Sequence, residues 1–185
     1  MCRTKSEPVA AMMKRSGVIF DRDGVLNLDT GYVYKPEDLV WLDGAKELIV
    51  QLNRSEIVVV VATNQSGIGR GYFSPQALDQ FHGQMLLELK AMGGWIDQFY
   101  HCPYHEDAVL PDYRIVNHPD RKPNPGMVLK AIADWNLDPQ KSLMVGDRLS
   151  DVRAGEAAGV AGRLFDGTNL SDLVLSGLRD LGLDL

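Results

Sequence analysis

The stretch Gly17-Val18-Ile19-Phe20-Asp21-Arg22-Asp23-Gly24 decides how this chain is to be read. Val18-Ile19-Phe20 has no polar position and reads as a short buried strand. Two acids and a glycine follow at once, where such a strand must leave the interior. The pattern recurs downstream. Ile57 to Ala62 is continuous and largely β-branched, and runs into Thr63-Asn64-Gln65-Ser66-Gly67. Ser142 to Gly146 runs into Asp147-Arg148-Leu149-Ser150-Asp151.

Helical patterns separate these strands. Ala45, Leu48, Ile49 and Leu52 recur at helical spacing. Ser74 caps a helix with Pro75 at its first position; Leu78, Phe81, Met85, Leu89 and Met92 line its inner face, and His82 falls on the solvent side. Pro125-Gly126 opens a further helix with Val128, Leu129, Ile132 and Trp135 inward. Asp151 to Ala158 is a short helix, Gln98 to His101 and Val160 to Phe165 are strands, and a closing helix starts near Leu170. Strand–helix alternation of this kind predicts an α/β fold, a doubly wound parallel sheet with right-handed crossovers and helices on both faces. Residues 1–16 read as a loosely ordered tail and 17–185 as a single domain. Cys102 to Asn124 is too long for an idle connector and is the expected specificity loop.

Composition narrows the partners. The chain has 185 residues, 45% hydrophobic and 24% charged, with 19 Lys plus Arg against 25 Asp plus Glu and a net charge of −6. A globular protein is implied, and neither a nucleic-acid binder nor a membrane-surface protein is expected. No apolar run approaches a membrane span. Cys2 and Cys102 offer no disulfide framework, which fits a reducing cytoplasm. A monomer is expected.

In a sheet of this kind ligands lie beyond the carboxyl ends of the strands. Asp21, Asp23, Thr63, Asp147 and Asp151 all fall there, and Lys122 precedes the Pro125 helix. Two carboxylates 4 Å apart repel by about 4 kcal/mol at an effective dielectric near 20. Lys122 relieves part of that, and a hard divalent cation relieves the rest. Mg²⁺ suits oxygen ligands that leave room for waters and phosphate oxygens. The set reads as phosphoryl transfer. Asp21 attacks phosphorus and becomes an aspartyl-phosphate; Asp23 protonates the leaving oxygen and later deprotonates water. Thr63 bonds a phosphoryl oxygen, Lys122 neutralises charge, Asp147 is a metal ligand, and Asp151 supports the metal or caps its helix. A phospho-receiver signalling module uses similar chemistry, but it phosphorylates an acid on a middle strand, and none follows Ile57 to Ala62.

Asp21-x-Asp23-Gly24, Thr63, Lys122 and Gly146-Asp147-x3-Asp151 resemble, in order and strand placement, the four motifs of the haloacid-dehalogenase superfamily of phosphatases. The resemblance spans about residues 17–166. It implies a Rossmann-like core, Mg²⁺ dependence and the Asp23 backbone carbonyl as a further metal ligand. Phe20 to Asn27, Gly31-Tyr32-Val33, Thr63 to Gly71, Cys102-Pro103-Tyr104-His105 and Arg121 to Gly126 are similar to the heptose-bisphosphate and histidinol-phosphate phosphatases, with the heptose branch nearer. That resemblance implies no large cap domain and a small phosphorylated sugar as substrate, a heptose 1,7-bisphosphate losing its 7-phosphate. Histidinol phosphate or another small phosphomonoester is the alternative. Asn64, Gln65, Arg70 and Arg121 are the expected substrate contacts, with Arg70 and Arg121 suited to a second phosphate. One departure stands out. Relatives commonly hold a structural zinc through Cys-x-His and Cys-x-Cys, where this chain has Cys102-Pro103-Tyr104, with His105 one place late, and His118-Pro119-Asp120. A zinc-free loop is expected.

Overall fold

The computed structural model describes residues 13–184. Five parallel strands form one sheet in the order β3-β2-β1-β4-β5: β1 (Arg15–Phe20), β2 (Val58–Asn64), β3 (Gln98–Cys102), β4 (Leu137–Gly146) and β5 (Ala161–Leu164). The helices are α1 (Ala45–Arg54), α2 (Ser66–Gly69), α3 (Pro75–Ala91), α4 (Gly126–Trp135), α5 (Leu149–Ala157) and α6 (Leu170–Asp180). No helix among the described residues is long and apolar enough to cross a membrane.

The apolar strands are buried on both faces, and their residues divide with the period of two that a pleated strand imposes. Val18, Phe20, Val59, Val61, Leu143 and Val145 pack against the inner sides of α1, α3 and α6. Ile19, Val58, Val60, Ala62 and Met144 pack against α4 and α5. β1 lies in the centre of the sheet with β2 on one side and β4 on the other. The turns leaving β1 and β4 therefore part at the topological switch point, where an α/β sheet opens a crevice.

Several sequence expectations need correction. Strand β1 starts at Arg15, two residues before the expected domain start at 17, and the Arg15 N–H bonds the Asn136 carbonyl at 2.9 Å. The rest of the expected tail, residues 1–12, lies outside the described residues. β4 starts at Leu137, five residues before the apolar run, with a register irregularity opposite Arg15 and Gly17 that absorbs Asp138 and Pro139. On α4 the buried positions are Met127, Val128 and Ala131, while Leu129 is exposed. On α3, Ser74 accepts from the Ala77 N–H as expected, Met92 is exposed, and His82 is buried at 6% exposure.

Candidate active site

The switch-point crevice is a cavity of about 500 Å³ at the carboxyl ends of β1, β2 and β4. Asp21, Asp23, Thr63, Asn64, Gln65, Arg121, Lys122 and Asp151 all line it. Asp21 is fixed by its backbone, whose N–H bonds the Val145 carbonyl across to β4 at 2.8 Å. Its Oδ1 accepts from the Arg22 N–H and from Lys122 Nζ, both at 2.8 Å. The other oxygen, Oδ2, has no hydrogen bond among the described residues.

Lys122 arrives from the loop before α4 and is buried. Its three donors are all used: Asp21 Oδ1 and Asp151 Oδ1 at 2.8 Å, and the Ala62 carbonyl at 2.7 Å. Asn64 clamps the Lys122 peptide on both sides, donating to its carbonyl and accepting from its N–H at 3.1 Å each. The Asn64 amide is thus committed to placing the lysine.

Asp151 divides its two oxygens. Oδ1 meets Lys122, and Oδ2 accepts the Arg148 N–H at 3.0 Å, closing the first turn of α5. Capping and charge balance are done by one side chain. Asp147 is approached closely by Gly24, which sits at φ +80°, where a Cβ would lie 2.5 Å from Asp147 Oδ2. Gly146 is bare for the same reason, since a Cβ there would lie 2.1 Å from that of Asp151.

Asp21, Asp147 and Asp151 each offer an oxygen within 4.8 Å of the others. Three carboxylates stand against the Lys122 ammonium and, at 3.9 Å from Asp147, the more exposed Arg148 guanidinium, so the group is net negative. The electrostatics show the tension. Burial pushes Asp21 up from 3.8 to about 6, against the pull of Lys122. Burial also raises Asp147. Burial pushes the Lys122 ammonium down, but Asp21 and Asp151 more than reverse this, so it is held charged. Asp147 Oδ1 is buried and has no hydrogen-bond partner. A buried carboxylate oxygen with no partner, in a net-negative group of three acids, is what a hard divalent cation would satisfy, so the residues fit Mg²⁺.

Asp23 sits in a different setting, which sequence reasoning missed. Its Oδ1 accepts from Arg22 Nε and Nη2 at 3.0 and 2.8 Å and from Asn27 Nδ2 at 3.0 Å. Its Oδ2 accepts from Arg22 Nη2 at 2.9 Å and from Gln65 Nε2 at 2.8 Å. Arg22 has no exposed surface at all. Arg22 carries no assignment from the sequence; the one available signal was its place two residues after the buried end of β1. Gln65 Nε2 also donates to Thr63 Oγ1 at 2.9 Å, which leaves the Thr63 hydroxyl proton for the cavity.

The expected substrate contacts separate. Asn64 and Gln65 line the cavity with their amides engaged inside the protein. Arg121 lines it too, and its Nη1 donates to the Tyr104 carbonyl at 3.3 Å. Arg121 and Lys122 are shared with an adjoining cavity of about 210 Å³ that reaches Glu106, Val116 and Asn117. Arg70 lines neither cavity. Burial and then the nearby Arg70 depress the Arg121 guanidinium, and burial followed by both arginines depresses His105. Arg70 Nε is buried without a partner. At the mouth, Arg148 reaches Asp29 at 3.3 Å, and Tyr32 meets Tyr72 edge to face at 4.7 Å.

In the specificity loop, Tyr104 stacks on His118 with centroids 3.9 Å apart. His118 Nδ1 accepts the Asp120 N–H at 3.1 Å, and Asp120 pairs with Lys130. Among the described residues, the Asp21, Asp147 and Asp151 group is where metal-ligating side chains gather; Cys102, His105, His118 and Asp120 do not gather.

A family profile described as HAD-hydrolase-like matches residues 120–168, the part that carries Lys122, Asp147 and Asp151. The D-glycero-beta-D-manno-heptose-1,7-bisphosphate 7-phosphatase of Mesorhizobium japonicum is 46% identical over 151 residues, covering 81% of this chain and 69% of its own. The D-glycero-alpha-D-manno-heptose-1,7-bisphosphate 7-phosphatase of Burkholderia mallei is 42% identical over 153 residues, covering 83% and 80%. The crystal structure of D,D-heptose 1,7-bisphosphate phosphatase from B. bronchiseptica, complexed with magnesium and phosphate, superposes with a TM-score of 0.76 at 31% identity, covering 91% of this chain and 99% of that one. With the fold, the four motifs and these relatives in agreement, the chain belongs to the heptose-bisphosphate phosphatase family of the haloacid-dehalogenase-like hydrolases.

Proposed function

We propose that the chain is a Mg²⁺-dependent phosphatase that removes the 7-phosphate of D-glycero-D-manno-heptose 1,7-bisphosphate through an aspartyl-phosphate on Asp21. The observation that carries this reading is the Asp21 carboxylate itself. One oxygen is tied down by Lys122 and the Arg22 N–H, and the other is unbonded in a cavity walled by hydrogen-bond donors. That is a nucleophile fixed in direction.

Asp21 Oδ2 forms a bond to phosphorus as the bond to the sugar oxygen breaks. Asp23 gives its proton to that oxygen. It then takes a proton from the water that attacks phosphorus and releases Asp21. Thr63 O–H binds an equatorial oxygen, and the Lys122 ammonium, its three donors spent within the site, neutralises charge on those oxygens, where it is spread in the transition state. Asp21, Asp147 and the Asp23 carbonyl would hold Mg²⁺, with Asp151 supporting its waters. When bound, the cation offsets the charge of the carboxylates and polarises a phosphoryl oxygen. A sequence with two cysteines and no disulfide framework, and a phosphorylated substrate, fit a cytoplasmic setting.

The test is phosphate release, with Mg²⁺ and then with EDTA, from the α and β anomers of the heptose bisphosphate and from histidinol phosphate. Strong preference for one heptose anomer and loss of rate in EDTA are expected. Comparable slow release from all three would remove the substrate assignment.

The second phosphate is assigned to Arg121, which lines both cavities, supported by Arg70, which lines neither and stands behind it with a buried Nε that lacks an acceptor and an Nη2 3.9 Å from Asp107. A charge-assisted hydrogen bond contributes about 1.5–3 kcal/mol. Arg121→Ala and Arg70→Ala should each lower kcat/KM for the bisphosphate by about 10- to 100-fold, and for heptose 7-phosphate by far less. Equal losses on both substrates would place the 1-phosphate elsewhere.

A further inference from the structure

We propose that His82, on α3 and outside the cavity, is a positioning residue that holds the Asp23 carboxylate in place through Arg22. The inference rests on the phosphatase reading above, in which Asp23 is the proton donor. Arg22 Nε and Nη2 grip Asp23, and Nη2 also donates to the Val33 carbonyl at 2.7 Å. One end of the guanidinium, Nη1, points away from the site and lies 3.2 Å from His82 Nε2. A guanidinium has only donors, so His82 must accept there, with its ring proton on Nδ1. The imidazole stacks on Phe99 with centroids 4.0 Å apart and planes 13° apart, which fixes the lone pair's direction. Phe81 lies under the guanidinium at 4.6 Å. Burial, and then Arg22, push His82 down to about 2, so the ring stays neutral and keeps its lone pair across the whole working pH range.

The burial of Arg22 makes this contact consequential. With no exposed surface, it cannot turn an unsatisfied Nη1 out to water. Without the His82 acceptor the guanidinium must rotate toward another, and Asp23 rotates with it. Displacement of a proton donor by about an ångström costs up to about 100-fold.

The experiment compares His82→Leu and His82→Gln with wild type on two phosphomonoesters of different leaving-group basicity. One is an alkyl sugar phosphate, whose leaving oxygen needs a proton; the other is p-nitrophenyl phosphate, whose leaving group departs unprotonated. The readout is the ratio of the two kcat/KM values, which report the first step and are taken on one preparation, so the fraction folded cancels. For His82→Leu the alkyl ester should lose about 10- to 100-fold and the aryl ester no more than a few-fold. His82→Gln, whose side-chain oxygen restores an acceptor, should recover most of the alkyl rate. Equal losses on both esters, unchanged rates in His82→Leu, or no recovery in His82→Gln would overturn the role assigned to His82. A wild type inert toward both esters would overturn the phosphatase reading, and this inference with it.

Discussion

Asp21→Asn is expected to abolish phosphate release, with a loss of at least about 10⁴-fold, while the folded protein survives. The loss follows from chemistry: an amide oxygen neither attacks phosphorus at a useful rate nor leaves as a carboxylate. Survival follows from the site. Asparagine keeps an oxygen where Oδ1 accepts from the Arg22 N–H and Lys122 Nζ. It also removes a charge that burial disfavours. Asp21 is raised from 3.8 to about 6, so between those values the folded state binds more protons than the unfolded chain. Stability from this group therefore falls as pH rises from about 4 through 6, and ionised Asp21 is a cost at neutral pH unless a cation balances it. In EDTA at pH 7.5 the urea midpoint of Asp21→Asn should match or exceed that of wild type. The wild type should trap label from a labelled substrate as a phosphoenzyme on acid quench, and Asp21→Asn should trap none. A variant that turns over at the wild-type rate would remove Asp21 as the nucleophile.

That a single residue carries so specific an expectation reflects how these sites are encoded. Asp21, Thr63 and Asp147 are legible because each directly follows a strand whose burial the sequence announces, and parallel strands end on one edge. Lys122 is legible from the motif it shares with relatives. What was not legible depends on contacts between distant segments. Arg22 and His82 are 60 residues apart and bury each other. A helical wheel of α3 built on apolar residues alone puts His82 outside, because the arc of that helix facing the sheet is wider than its apolar stripe. The Asn64 amide reads as a ligand group at a strand end, but it is spent on the Lys122 peptide 58 residues on. Asp138 and Pro139 fall outside the apolar run at Ser142 to Gly146 and are absorbed by the irregular start of β4, a local preference overridden by pairing to β1.

Lys122→Met should show how tightly the charge balance is held. Methionine matches the lysine stem in length and packs in the same space, so the change removes an ammonium rather than volume. The Asp21 and Asp151 carboxylates then face each other without a cation, and the Ala62 carbonyl loses its donor. Breaking a buried ion pair from one side costs about 3–5 kcal/mol. The sign of the pH dependence follows from Asp21. Lys122 is what pulls its raised pKa back down, so losing the lysine sends it higher still. The folded variant then holds extra protons over a wider range above 3.8, and its stability declines more steeply as pH rises. In EDTA the penalty relative to wild type should be small near pH 4.5, where Asp21 is protonated, and full at pH 7.5. Urea denaturation at the two pH values reads it directly. Added Mg²⁺ should recover stability at pH 7.5 more than at pH 4.5. The phosphatase rate should fall by about 10²–10³-fold, the loss expected when a charge that stabilises the transition-state oxygens is removed. Lys122→Arg should recover little of it. The three acceptors surround one compact ammonium, and a planar guanidinium cannot meet Asp21, Asp151 and the Ala62 carbonyl together. A Lys122→Met penalty of the same size at both pH values would mean that the lysine acts through packing, and the site's charge balance would have to be assigned to other groups.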